Sequence, residues 1–200
     1  MITSLLEALE AIEGLDGPRV VVGIVGPPGA GKSTLAEQLV AALPDAVLLP
    51  MDGFHLPQAR LVELGRRDRM GAPDTFDVEG FAAILAAARL GPVVAPGFDR
   101  AVEEPVPGAV AIGGERVVVV EGNYLLHWPE VASRLDATFY VDLDDDVRLE
   151  RLIARHVRFG KTPDAAREWS LGPDQRNALI VQGTAARADA VIRLESPAPA

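Results

Sequence analysis

Val20-Val21-Val22-Gly23-Ile24-Val25 runs without a break into Gly26-Pro27-Pro28-Gly29-Ala30-Gly31-Lys32-Ser33, and Thr34-Leu35-Ala36 opens a segment of helical period. The first six residues read as a strand buried on both faces, because apolar and mostly β-branched side chains fill consecutive positions. The next eight satisfy G-x-x-x-x-G-K-[ST], set between a strand and a helix as that spacing requires. The glycines let backbone N–H groups wrap a phosphate, and the following helix adds its positive end. Lys32 is expected at the β- and γ-phosphates and the Ser33 hydroxyl at Mg²⁺. Gly26, Pro27, Pro28, Gly29, Ala30, Gly31, Lys32, Ser33 and Thr34 are therefore the expected nucleotide-binding residues. A ligand-free Gly-rich turn is the bland alternative, and the agreement of spacing with context disfavours it.

Outward from this loop, further β-branched runs occur at 46–51, 116–121, 137–143 and 190–194, separated by helix-period segments at 33–42, 78–89, 147–159 and 174–186. Alternating strands and helices of this kind predict an α/β fold: a doubly wound, parallel five-stranded sheet with helices on both faces, here of the P-loop NTPase type. Residues 92–114 break the alternation, with Pro92, Pro96, Pro105 and Pro107 flanking short apolar runs, and are expected to form a hairpin excursion or long loop. The expectation is one domain over 1–195, starting with an amphipathic helix, and a disordered tail over 196–200.

With 29 acidic and 19 basic residues the 200-residue chain has a formal net charge of −10, which disfavours a broad nucleic-acid or anionic-lipid footprint. Anions must be held locally. Only Lys32 and Lys161 among the basic residues are lysines, so arginine is the default cation. Cysteine is absent, which removes disulfides and thiolate chemistry and fits a cytoplasmic location. No apolar run has the length of a membrane span, and the acidic N-terminus does not resemble a signal peptide.

In a parallel sheet, ligands sit beyond the carboxyl ends of the strands. One strand ends in Glu121-Gly122-Asn123-Tyr124, which makes Glu121 with Ser33 the candidate metal site. Another ends in Met51-Asp52-Gly53-Phe54-His55, where Asp52 is the candidate base, with Phe54 and His55 shaping an acceptor pocket. The acids Asp142 and Asp144–Asp146 precede a helix and are expected to cap it. Arg148, Arg151, Arg155 and Arg158 recur at helical steps, and Arg151 and Arg155 are expected to close over a transferring phosphoryl group as part of a lid over about 147–172.

Taken together, MDGFH at 51–55, RMGAPDTFD at 69–77, PGFDR at 96–100, EGNYLL at 121–126, RLIARHVRFGKTPDAAREW at 151–169 and Asp174-x-x-Asn177-Ala178 resemble the phosphoribulokinase/uridine kinase/bacterial pantothenate kinase superfamily. The nearest likeness is to its nucleoside-kinase-like, fructose-transport-associated branch. The resemblance implies ATP and Mg²⁺, transfer of phosphate to a hydroxyl of a small molecule, Asp52 as base, and a lid carrying Arg151 and Arg155. It also implies that Arg100, His55 and Asn177 line the acceptor site, and it allows for a homodimer. The acceptor stays open between a nucleoside, a sugar and a pantothenate-like compound, because DGFH departs from the uridine kinase pattern. A regulatory or GTPase-like switch is the competing reading. Its sole support is Asp77-Val78-Glu79-Gly80, which matches D-x-x-G but follows no predicted strand.

Overall fold

A computed structural model describes residues 4–194. The expected tail lies outside the described residues. The strands β1 (Val20–Val25), β2 (Ala46–Pro50), β5 (Val117–Gly122), β6 (Ala137–Asp142) and β7 (Ala190–Arg193) form one sheet in the order β2-β5-β1-β6-β7, parallel throughout. A second, antiparallel pair, β3 (Val93–Asp99) and β4 (Glu104–Ile112), is the expected hairpin. The helices are α1 (Leu5–Glu13), α2 (Lys32–Ala42), α3 (Gln58–Glu63), α4 (Val78–Leu90), α5 (Pro129–Ala132), α6 (Asp145–Arg158), α7 (Pro163–Trp169) and α8 (Gln175–Gln182). Thus the sheet is the doubly wound one that the sequence predicts.

Both faces of the sheet are covered, which is why its strands carry continuous apolar runs. Val20, Val22 and Ile24 pack with Ala8 and Ile12 of α1 and Leu35 and Leu39 of α2. Val21 and Val25 point the other way, to a core containing Phe81 and Leu85 of α4, Val131 of α5 and Val181 of α8. The chain leaves β1 across β5 to reach the edge strand β2, whereas β6 and β7 lie on the other side of β1. The loop after β1 therefore opens at the switch point of the sheet, where ligands collect.

Two sequence features turn out to be structural. Asp77 caps α4, its Oδ1 accepting from the Gly80 N–H at 2.9 Å, so D-x-x-G is a helix start. Among the acids before α6, Asp144 stands at the N-cap but makes no side-chain capping bond and pairs with Arg193 at 3.0 Å, while Asp145 takes the Nε–H of Arg148 at 2.9 Å. Asp145 and Asp146 lie in the first turn of α6, where their charge opposes the helix dipole as expected, but the side-chain cap expected at Asp144 is replaced by its ion pair. No helix among the described residues is long and apolar enough to cross a membrane.

The hairpin bears on the site through Gly53. A 3₁₀ turn at Met51–Phe54 follows β2 and packs so closely on β3 that a Cβ at Gly53 would stand 2.2 Å from the Pro96 carbonyl oxygen. Backbone cannot yield there as a side-chain tip can. Gly53→Ala is expected to destabilise the fold by about 1–3 kcal/mol, in the manner of other overpacking changes, as read by urea unfolding. An unchanged midpoint would show that the turn and hairpin are not held in register.

Candidate active site

The phosphate-binding loop adopts a conformation that only its glycines accept at low cost. Gly29 has φ 84° and Gly31 φ 95°, in the left-handed region, and Gly31 is the residue from which α2 starts. The loop is also fastened from behind. Arg148, wholly buried, donates through Nη1 to the Pro28 carbonyl oxygen at 3.2 Å, through Nη2 to Gln175 Oε1 at 2.5 Å and through Nε to Asp145. The first arginine of the stripe is thus a latch joining loop, α6 and α8.

Lys32 is only 8% exposed and donates to the Pro27 carbonyl oxygen at 3.1 Å. Burial pulls its ammonium down to about 8, against the attraction of Glu121 and with added repulsion from Arg155. Glu121, at the end of β5, is 6% exposed. Burial raises its carboxyl above the usual range and the neighbouring Asp52 adds to this, while Lys32, Arg100 and a hydrogen bond from Ser33 oppose it. Asp52 sits in the 3₁₀ turn beyond β2 and accepts from Arg100 Nη2 at 2.6 Å. Burial disfavours its charge, but Arg100, His55, Lys32 and Arg155 outweigh that and hold the carboxyl below its ordinary value.

Two clefts open on these groups. The inner one, about 230 Å³, is lined by Asp52, His55, Phe76, Phe98, Asn123 and Asn177, among others. The outer one, about 800 Å³, includes Gly29, Gly31, Thr34, Arg151, Phe159 and Leu194. Lys32, Ser33, Asp52, Arg100, Glu121 and Arg155 line both, so they stand at the junction.

Most residues singled out in the sequence therefore come together, but their positions differ. Arg155 is at the junction, and Arg151 lines the outer cleft alone. Arg158 is exposed and lines neither. Asn177 is buried at the inner cleft, where its Nδ2 donates to the Gly71 carbonyl oxygen at 3.2 Å, an oxygen that also accepts from the Tyr124 hydroxyl at 2.6 Å. Phe54 is a correction: its ring is 4.4 Å from that of Phe81 in the core, and it lines neither cleft. The cause is the 3₁₀ turn, whose three-residue period sets Asp52 and His55 on one side and Phe54 off it.

His55 stacks between Phe76 and Phe98, with ring centroids 4.0 and 4.9 Å away, and its buried Nδ1 has no hydrogen-bond partner. Burial lowers its ring's proton affinity, against the pull of Asp52. Residue-by-residue reading misses Phe76, Phe98, Trp169 and the His156–Asp174 pair, whose Nε2 and Oδ2 are 2.7 Å apart. Only the quoted motifs around them gave any signal, because these partners are far apart in sequence.

Three comparisons bear on this geometry. The model of the "Phosphoribulokinase / Uridine kinase family" matches residues 21–193. The uncharacterized protein YggC of Escherichia coli is 33% identical over 201 residues, spanning 95% of this chain and 84% of its own. The ATP-dependent kinase-like protein notR' of Aspergillus versicolor is 40% identical over 131 residues, spanning 58% of this chain and 76% of its own. A crystal structure described as a proposed fructose transport system kinase, from Silicibacter sp. TM1040, superimposes with a TM-score of 0.86 at 35% identity, covering 95% of this chain and 99% of that one.

Proposed function

This chain belongs to the phosphoribulokinase/uridine kinase family, and on that premise we propose that it is an ATP-dependent kinase moving the γ-phosphoryl group of ATP to a hydroxyl of a small molecule. The observation that supports this reading is the junction: Lys32 of the G-x-x-x-x-G-K-[ST] loop and the Asp52 carboxylate both line the place where two clefts meet, as transfer between two substrates requires. The outer cleft takes the nucleotide, with the 26–34 loop around its phosphates and Arg151 on its flank. The inner cleft takes the acceptor, and its volume of about 230 Å³ suits a compound smaller than a typical drug-sized ligand.

Asp52 orients the acceptor hydroxyl once Arg100 gives up their ion pair. The acceptor oxygen forms its bond to the γ-phosphorus as the bond to ADP breaks, and the hydroxyl proton passes to Asp52. A loose transition state needs little basicity for this, which suits a carboxylate whose proton affinity is lowered. Arg155 and Lys32 neutralise charge on the moving group, and α6 with α7 forms the lid. His55 and Asn177 shape the acceptor pocket.

The donor set fits Mg²⁺. Ser33 offers a hydroxyl oxygen and Glu121 a buried carboxylate whose proton affinity is raised partly by Asp52, a repulsion that a divalent cation relieves. Ser33 and Glu121 would hold the ion, which would supply charge neutralisation for the phosphates.

A coupled ATP-consumption screen across nucleosides, sugars, sugar phosphates and pantothenate tests the reading. At least one acceptor is expected to raise ATP turnover well above the acceptor-free rate. Equal rates across the whole panel would count against small-molecule transfer and favour a nucleotide-binding switch.

A further inference from the structure

Three carboxylates of the inner cleft already have a cationic or imidazole partner. Asp52 pairs with Arg100 at 2.6 Å, Glu103 with Arg67 at 2.6 Å, and Asp174 with His156 at 2.7 Å. The fourth, Glu121, faces Lys32 and Ser33. Three cations lining this cleft form no ion pair among the described residues, Lys32, Arg155 and Lys161, and the nucleotide phosphates account for Lys32. Arg155 stands at the junction, where the transferring phosphoryl group accounts for its charge. Lys161 lines the inner cleft alone, and phosphoryl transfer gives it no task.

The position of Lys161 is built rather than incidental. It follows Gly160, whose φ of 97° turns the chain sharply after α6, and its Nζ sits 4.8 Å from the ring centroid of Trp169 at the end of α7. The indole face holds the ammonium at the cleft by a cation–π contact while leaving its N–H groups free to donate. A compact ammonium with three donors and no carboxylate suits an oxyanion.

We propose that the acceptor itself carries an anionic group, a phosphate or a carboxylate, which Lys161 binds at the end of the inner cleft while the acceptor hydroxyl lies at Asp52. The proposal rests on the kinase reading and narrows it: neutral nucleosides and free sugars become poor acceptors, and sugar phosphates and hydroxy acids good ones. Lys161 is then a specificity residue, separated by role from Arg151 on the nucleotide side.

The test uses the full chain saturated with Mg²⁺ and a non-hydrolysable ATP analogue, so that the outer cleft is filled. D-ribose, D-ribose 5-phosphate, D-gluconate and inorganic phosphate are titrated in while tryptophan fluorescence is followed. Trp169 reports on Lys161, and Trp128, buried in the core, supplies a steady background. At least one of the three anions is expected to bind tenfold or more tightly than ribose, the ribose 5-phosphate and gluconate arms separating phosphate from carboxylate. Lys161→Met, which keeps an apolar stem on the indole, should weaken that anion about 10- to 100-fold, and Lys161→Arg should restore much of it, with analogue affinity unchanged. The proposal is overturned if ribose binds as well as every anion, if no anion binds, or if Lys161→Met leaves anion affinity intact. Failure of the ATP analogue itself to bind would instead overturn the kinase reading.

Discussion

Asp52→Asn is expected to bind ATP as the parent chain does and to lose phosphoryl transfer by about 10²- to 10⁴-fold, the range associated with a positioned acid–base group. Asparagine has nearly the same shape and keeps an oxygen that can accept from Arg100, so the turn and hairpin should stay together. What disappears is the charge that draws in the acceptor proton. Removing one of two mutually repelling carboxylates also lowers the proton affinity of Glu121, since Asp52 is among the causes that raise it. Nucleotide affinity should therefore change by less than about tenfold, measured by calorimetry, while kcat collapses. A variant with full kcat on any acceptor would remove Asp52 from the reaction. One that loses ATP binding and kcat together would make it part of the nucleotide site.

Lys32→Met carries the second large effect. The lysine is buried and its proton affinity is pulled down to about 8, so the free site holds a cation at some cost. A bound polyphosphate reverses this by raising the proton affinity again. Below about pH 8 Lys32 is already protonated and affinity for ATP is flat with pH. As pH rises above that value, binding must take up a proton, and affinity falls by up to a decade per pH unit. Lys32→Met should abolish that slope and reduce transfer by about 10²- to 10³-fold, as loss of one preorganised charge-stabilising donor does. Retention of the alkaline slope in the variant would show that another group causes it. In the unliganded chain the linkage has the opposite consequence: a lysine depressed on folding leaves the native state binding fewer protons than the unfolded one above about pH 8. Its contribution to stability therefore improves as pH rises toward 10.5.

The sheet was legible in the sequence because burial on both faces leaves uninterrupted β-branched runs, and the five observed strands agree with those runs to within a residue or so at each end. The hairpin was legible from its prolines, though not its pairing. The helical segment expected over 174–186 is divided in the structure: α8 ends at Gln182 with Gly183 beyond it, and a separate 3₁₀ turn forms at Ala185–Arg187, while the π turn at Ser170–Asp174, with Pro173, precedes the segment. Within the site, strand-end residues such as Asp52 and Glu121 were readable because topology sends every strand end to one edge. Phe54, by contrast, packs on Phe81 in the core, because adjacency in sequence says nothing about which side of a 3₁₀ turn a side chain takes. The four arginines of α6 look equivalent as a stripe. Only tertiary packing separates the buried latch Arg148, the outer Arg151, the junction Arg155 and the exposed Arg158. The scarcity of lysine singles out Lys32, which lies at the junction, and Lys161, which lines the inner cleft, but the sequence alone supplies a reason for a compact ammonium only at Lys32.

The most direct test follows the phosphoryl group itself. The chain is incubated with γ-³²P-labelled ATP, Mg²⁺ and pooled sugar phosphates, hydroxy acids, nucleosides and free sugars, and labelled products are separated from ATP and inorganic phosphate. A new labelled small-molecule phosphoester, formed by the parent chain and lost with Asp52→Asn, is the predicted result. Label that appears only in inorganic phosphate, or a phosphoester formed equally well by Asp52→Asn, would contradict it.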